Sequence, residues 1–110
     1  MSFQVPSWDG ARVIRLTLTA HAQRDPVIAL REAMRQLPDA SQAEPGSLIA
    51  IPATAAPEQE RGFLGRFGAI GPRVQIHRAT RCTCLLARGY VRIAAGRDAQ
   101  GMDWAWGYAP

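Results

Sequence analysis

The chain has 110 residues, with 13 basic and 9 acidic side chains, 47% apolar residues and a formal net charge of +4. This length and apolar content predict one folded domain over 1–110 and exclude a fully disordered chain. No uncharged apolar run approaches the roughly 20 residues of a membrane helix, and the N-terminus lacks the features of a signal peptide. We therefore expect a cytoplasmic protein with no membrane partner.

All 13 basic residues are arginine, and the chain contains no lysine and no asparagine. Together with 19 alanines, this usage is typical of a GC-rich genome, and we expect a bacterial protein, with a phage or mobile element as one origin. Every positive charge is therefore a planar guanidinium with five donors, which suits carboxylates, phosphates and aromatic rings.

The first half of the chain predicts a β-α-β unit. Residues 12–20 alternate apolar and polar side chains, which predicts a half-buried strand. Asp25 and Pro26 are a typical N-cap and first helical residue, and they predict a helix over 26–37. The apolar stripe expected to face the core comprises Val27, Leu30, Met34 and Leu37. Residues 47–51 form a short apolar run that predicts a second strand, parallel to the first.

The second half predicts mostly antiparallel strands. Residues 53–72 are expected to be a connector, because their glycines recur too often for a long helix. Alternation then predicts strands at 73–78, 80–87, 89–95 and 102–108. The predicted fold class is α+β, with a β-α-β unit followed by an antiparallel meander and one main helix packed on a mixed sheet. Residues 1–10 are expected to be a flexible arm.

The net charge conceals an uneven distribution along the chain. Residues 1–60 carry a net −2, residues 61–97 carry eight arginines and no acid, and residues 98–110 carry −2. The arginine-rich segment therefore predicts a positively charged surface. Its candidate binding residues are Arg61, Arg66, Arg73, Arg78, Arg81, Tyr90 and Arg92.

Strand parity places Arg81, Tyr90 and Arg92 on one predicted sheet face, which is open to three interpretations. We favour a non-catalytic protein that binds an acidic protein partner, or its own copies, through the 61–97 surface. The alternative is a nucleic-acid-binding protein, because bases stack on rings while arginines hold phosphates. Known binders of this kind usually offer more than one ring. A solvated face that discourages edge pairing is the purely structural interpretation.

Enzymatic activity is the third hypothesis. It comes last because no catalytic motif is visible in the sequence. The glycine-spaced segment matches neither of the common phosphate-binding patterns. Cys82 and Cys84 are expected on one strand face as reduced core residues, because their spacing does not suit zinc. No metal or cofactor is predicted. Asp103, beside Trp104, is the one acid whose burial would make it a candidate catalytic group.

The last predicted strand carries three large rings on one face, from Trp104, Trp106 and Tyr108. We expect these rings to form core against the 26–37 helix. An exposed aromatic ridge for a partner is the alternative, because aromatic residues and arginine dominate interface hot spots. Phe3 and Trp8 are open to the same two interpretations.

Overall fold

The computed structural model describes residues 4–53 and 76–110. Its elements are β1 (Arg12–Val13), α1 (Ala20–Arg24), α2 (Pro26–Gln36), a 3-10 turn (Ala40–Gln42), β2 (Leu48–Pro52), α3 (Arg78–Ala87), β3 (Val91–Arg97) and β4 (Asp103–Tyr108). The strands form a mixed sheet in the order β1-β2-β4-β3, and the main helices pack on one of its faces. The predicted α+β class is confirmed.

The β-α-β unit is also confirmed, because β1 and β2 pair in parallel and α2 lies between them in the chain. However, β1 is much shorter than the predicted strand over residues 12–20. Beyond β1 the side chains still alternate between buried and exposed positions, since Leu16 and Leu18 are buried while their neighbours are exposed. The prediction was therefore right that Ile14, Leu16 and Leu18 face the core, and wrong about the extent of the strand and about Ala20, which is exposed at the start of α1.

The segment after β1 leaves the sheet because helix α2 satisfies its backbone. The amide of Thr17 donates to Gln36 Oε1 at 2.8 Å, and Gln36 Nε2 donates back to the Thr17 carbonyl at 2.7 Å. The amide of Thr19 donates to Glu32 Oε1 at 2.8 Å. These side chains occupy the positions that a neighbouring strand would otherwise fill.

Helix α2 begins as predicted, with the Asp25 carboxylate accepting from the amide of Val27 at 2.9 Å. Three members of the predicted stripe face the core beside the buried Ala29 and Ala33, since Leu37 is buried and Leu30 and Met34 pack against the core cluster. The fourth member does not. Val27 is 61% exposed. Val27 lies on the side of α2 opposite Ala29 and Ala33, so it faces solvent.

The predicted strand over residues 80–87 is wrong, because these residues belong to helix α3. The buried residues Arg81, Cys84 and Leu85 follow a helical rather than an alternating period. Gly89, with a φ of +90°, then turns the chain out of the helix. Residues 73–75 of the strand predicted at 73–78 lie outside the described residues, and the prediction is wrong for residues 76–78, because they are not in a strand and Arg78 begins α3.

The C-terminal hairpin is confirmed, with β3 and β4 antiparallel. One face of β4 packs under the helices, and Gly107 provides the necessary space there. A Cβ atom at this position would lie 3.2 Å from the Tyr90 Cβ and 3.3 Å from Ile93 Cγ1. A glycine in this strand therefore allows the Tyr90 side chain to pack directly over the β4 backbone.

The aromatic residues of β4 occupy the opposite face of the sheet from the helices. Trp104 and Trp106 are buried in a second core cluster, so the prediction that they cover the 26–37 helix is wrong. The N-terminal segment covers them instead, with Trp8 at 4.7 Å from Trp104 and 6.0 Å from Trp106 between ring centroids. The alternation in β4 dictates this division, because Ala105 and Gly107 are the small residues that fit beneath the helices.

Candidate binding surfaces

The structure does not bring the described members of the predicted binding set onto one face. Arg61, Arg66 and Arg73 lie outside the described residues, so their role stays a prediction. Arg78 and Arg81 lie on α3, whereas Tyr90 and Arg92 lie at the start of β3. The face predicted from strand parity is absent because one of its two contributing strands is a helix.

Arg81 is buried, with 1% relative exposure, and its donors are used inside the protein. Its Nε donates to the Ile76 carbonyl at 3.0 Å, and its Nη1 lies 3.3 Å from the carbonyls of both Ile51 and Asp103. Its Nη2 donates to Asp103 Oδ1 at 2.6 Å. This arginine joins α3 to the ends of β2 and β4 and is not available to a partner.

Asp103 is the common acceptor of Arg81 and Arg78, whose Nε donates to Asp103 Oδ1 at 3.3 Å. Burial alone would raise the pKa of Asp103, but the hydrogen bonds and charges of the two arginines outweigh it and lower this pKa. Asp103 is therefore a carboxylate in a structural ion pair. This geometry does not suit a catalytic acid or base, which is the role that the sequence suggested for Asp103.

Tyr90 is a core residue, with 2% relative exposure. Its hydroxyl donates to the Pro38 carbonyl at 2.9 Å, and burial raises the pKa of this phenol. Its ring is not accessible to a base, so the predicted stacking of nucleic acid on Tyr90 has no structural basis.

Arg92 is the predicted sheet-face residue that remains exposed. It lies at a β-bulge, and its φ of 52° makes it the one non-glycine residue with a positive φ in the described ranges. Its guanidinium lies 4.3 Å from the centroid of the Tyr108 ring. This cation–π contact contributes about 0.5–1 kcal/mol at an exposed site and holds the charge at the surface in one orientation.

The carboxylates of the described residues are mostly committed to the fold. Five of the seven are half-buried, and each of these accepts internal hydrogen bonds. The five are Asp25, Glu32, Asp39, Asp98 and Asp103. Asp9 and Glu44 are the two exposed carboxylates in this part of the chain.

Besides Asp103, three of these carboxylates have lowered pKa values because they accept hydrogen bonds. The Thr19 amide lowers the pKa of Glu32, and the Ser41 side chain lowers that of Asp39. The indole N–H of Trp104, 2.8 Å from Asp98 Oδ2, lowers the pKa of Asp98. All three hydrogen bonds favour the charged form.

These shifts predict that acid destabilises the protein. Because the folded-state pKa values lie below those of the unfolded chain, the unfolded chain binds more protons in the acidic range. Stability should be fully present above about pH 4–5, the ordinary carboxyl range, and decrease as pH falls through the folded-state values. Urea denaturation at neutral and acidic pH measures this decrease. An Asp98→Asn variant should show a shallower decrease, and equal slopes would contradict the assignment.

The arginines show the opposite distribution from the carboxylates. Eight of the ten described arginines are exposed: Arg12, Arg15, Arg24, Arg31, Arg35, Arg78, Arg92 and Arg97. Within the described ranges, every ion pair involves Asp103, so Arg78 is the one exposed arginine with a carboxylate partner. The others form no ion pair with a described carboxylate, although the charge of Arg35 is near enough to Glu32 to contribute to lowering the pKa of Glu32.

Two of the exposed arginines, Arg31 and Arg35, lie one turn apart on the outer face of α2, in line with Val27. This face was not predicted, because the apolar pattern placed Val27 in the buried stripe and the densest positive charge in the sequence lies in residues 61–97. The i, i+4 spacing of Arg31 and Arg35 was the signal that could have identified it.

A groove of about 430 Å³ separates the start of α2 from the start of α3. Its lining is Leu18, Ala22, Arg24, Pro26, Ala29, Ile76, His77 and Thr80. Arg24 and His77 are the ionisable groups among these residues, and no carboxylate accompanies them. The groove therefore has no acid–base pair among its described residues, and the described ranges contain no cluster of metal-ligating side chains.

Cys82 and Cys84 are free thiols on α3, two residues apart on a helix rather than on one face of a strand. Cys84 is buried, and burial raises its pKa to about 11. Burial also raises the pKa of Cys82. Neither thiol has the lowered pKa that is typical of a nucleophilic cysteine.

No protein-family model, curated protein or solved structure matches the chain. Among the described residues, no helix is both long and apolar enough to cross a membrane.

Proposed function

We propose that this is a non-catalytic binding protein that engages an acidic protein partner through its exposed arginines. The observation that carries the proposal is the unequal use of charge: the described carboxylates are mostly held in internal hydrogen bonds, whereas eight of ten described arginines face solvent. Such a surface attracts an anionic partner at long range. Arginine also suits the contact itself, because its fork pairs with carboxylates in a fixed geometry.

Several observations favour a hetero partner over self-association or nucleic acid. Two copies would bring arginine surfaces together with few exposed carboxylates to compensate, since Asp9 and Glu44 are the exposed acids of the described ranges. For nucleic acid, Tyr90, Trp104 and Trp106 are buried and offer no stacking surface. Tyr108 is half-buried beneath Arg92.

Within the 61–97 segment, Arg92 is the described residue best placed for such a role. Its position is set by the bulge and the Tyr108 ring, and the neighbouring Val91 is 41% exposed. An immobilised arginine beside an exposed apolar side chain resembles the composition of interface hot spots. A reducing cytoplasm is the compartment that we propose, because two free thiols are stable there.

The test compares two fluorescent anionic probes of equal length and charge, a glutamate-rich peptide and a single-stranded oligonucleotide. At a salt concentration of about 50 mM, where surface charges are weakly screened, we expect the peptide to bind more tightly than the oligonucleotide. Raising the salt to about 200 mM should weaken both complexes. Tighter binding of the oligonucleotide would support the nucleic-acid alternative instead, and failure of both probes to bind would reject the proposal.

A further inference from the structure

The outer face of α2 carries a row of three side chains at four-residue intervals: Val27, Arg31 and Arg35. All three are exposed, Val27 to 61%. Since a helix rises about 1.5 Å per residue, neighbouring members of the row are about 6 Å apart along the axis. The row thus combines one apolar side chain with two permanent positive charges at regular spacing.

The rest of the fold holds this row in a fixed orientation. Ala29 and Ala33, on the opposite side of α2, are buried in the core. Glu32 and Gln36, on one flank, are hydrogen-bonded to the backbone at Thr19 and Thr17. The helix therefore cannot rotate about its axis without losing these contacts, so its outer face is preorganised for binding.

We infer that this row is the docking site for an acidic helix of the protein partner, an inference that rests on the proposed function. A partner helix with two glutamates four residues apart presents carboxylates about 6 Å apart along its axis, the same spacing as Arg31 and Arg35. An apolar residue one turn further along would cover Val27. Each arginine could then pair with one carboxylate through its planar fork.

The described residues argue against two other occupants. A second copy of the chain would have to supply carboxylates at helical spacing, but Asp9 and Glu44, the exposed acids of the described ranges, lie outside helices. A nucleic-acid backbone would pair with the arginines but has no apolar group to cover Val27. An acidic helix satisfies both the charges and the apolar member of the row.

The experiment uses two helical peptides of identical composition. The matched peptide carries two glutamates four residues apart with a leucine one turn further along, and the mismatched peptide carries the same residues with the glutamates two apart. Fluorescence anisotropy should show the matched peptide binding about tenfold more tightly to the full chain. An Arg31→Glu/Arg35→Glu variant should lose this preference, and a matched peptide with lysine in place of glutamate should restore binding to that variant.

An Arg15→Glu/Arg97→Glu variant is the matched control, because it makes the same change in net charge at exposed arginines elsewhere. An Arg31→Gln/Arg35→Gln variant, checked by circular dichroism, provides a second test without charge reversal. Equal binding of both peptides, or equal losses in the α2 and control variants, would overturn the helix-docking inference but not the proposed function. Failure of every acidic peptide to bind would overturn both, and tighter binding of an oligonucleotide to α2 would assign the face to nucleic acid.

Discussion

Replacing Arg81 with methionine is expected to lower the free energy of unfolding by about 3–5 kcal/mol, the range found when one partner of a buried ion pair is removed. Methionine fills part of the same volume but cannot donate to Asp103 or to the carbonyls of Ile76 and Ile51. Asp103 would keep only Arg78 as a donor, and the two carbonyls would lose the Arg81 donor inside the protein. This loss of buried hydrogen bonds is the main source of the destabilisation. Urea denaturation measures the change.

The control is Arg78→Met, which removes the other arginine bound to the same carboxylate. The Arg78 side chain is 51% exposed, whereas that of Arg81 is 2% exposed. A solvated ion pair contributes about 0–1 kcal/mol, so this variant should remain close to the parent protein in stability. Equal losses for the two variants would contradict a special role for the buried arginine. A charge-reversal test of partner binding must also avoid Arg81, because loss of binding there would report unfolding.

Replacing Trp104 with alanine is expected to cost about 3–5 kcal/mol, as for other large core residues. The substitution would leave a cavity between the sheet and Trp8, whose ring centroid is 4.7 Å away. It would also remove the indole donor to Asp98, which organises the turn between β3 and β4. Thermal and urea denaturation of the variant measure the loss.

A double-mutant cycle with Trp8→Ala separates the ring contact from the rest of this loss. The coupling between the two substitutions should be about 0.5–1.5 kcal/mol, the usual value for a packed aromatic pair. Additive losses would contradict the packing of the N-terminal segment on the aromatic face. A Trp104→Phe variant keeps a ring but no N–H group, so it should retain part of the stability while losing the contribution of the Asp98 hydrogen bond.

Some parts of the candidate site were predictable from local residues, and others were not. The arginine content of the surface follows from the composition, and Arg92 is exposed as its pattern suggested. Arg81 was placed wrongly, because a run as short as 80–87 is compatible with both a strand and a helix. The α2 face was missed because Val27, the first residue of the predicted stripe, is exposed, and a local pattern does not show how much of a helix the rest of the fold covers.

By itself, the sequence determined the elements whose signals are local: the start of α2 at Asp25, the parallel β-α-β unit and the C-terminal hairpin. Only the tertiary structure decided which side of the sheet receives the helices, because an alternating strand offers two faces and the choice depends on which one fits. Small residues of β4 under α3 made that choice for Trp104 and Trp106. The same packing buried Arg81 and left Arg31 and Arg35 facing solvent, so the functional meaning of each arginine depends on its environment.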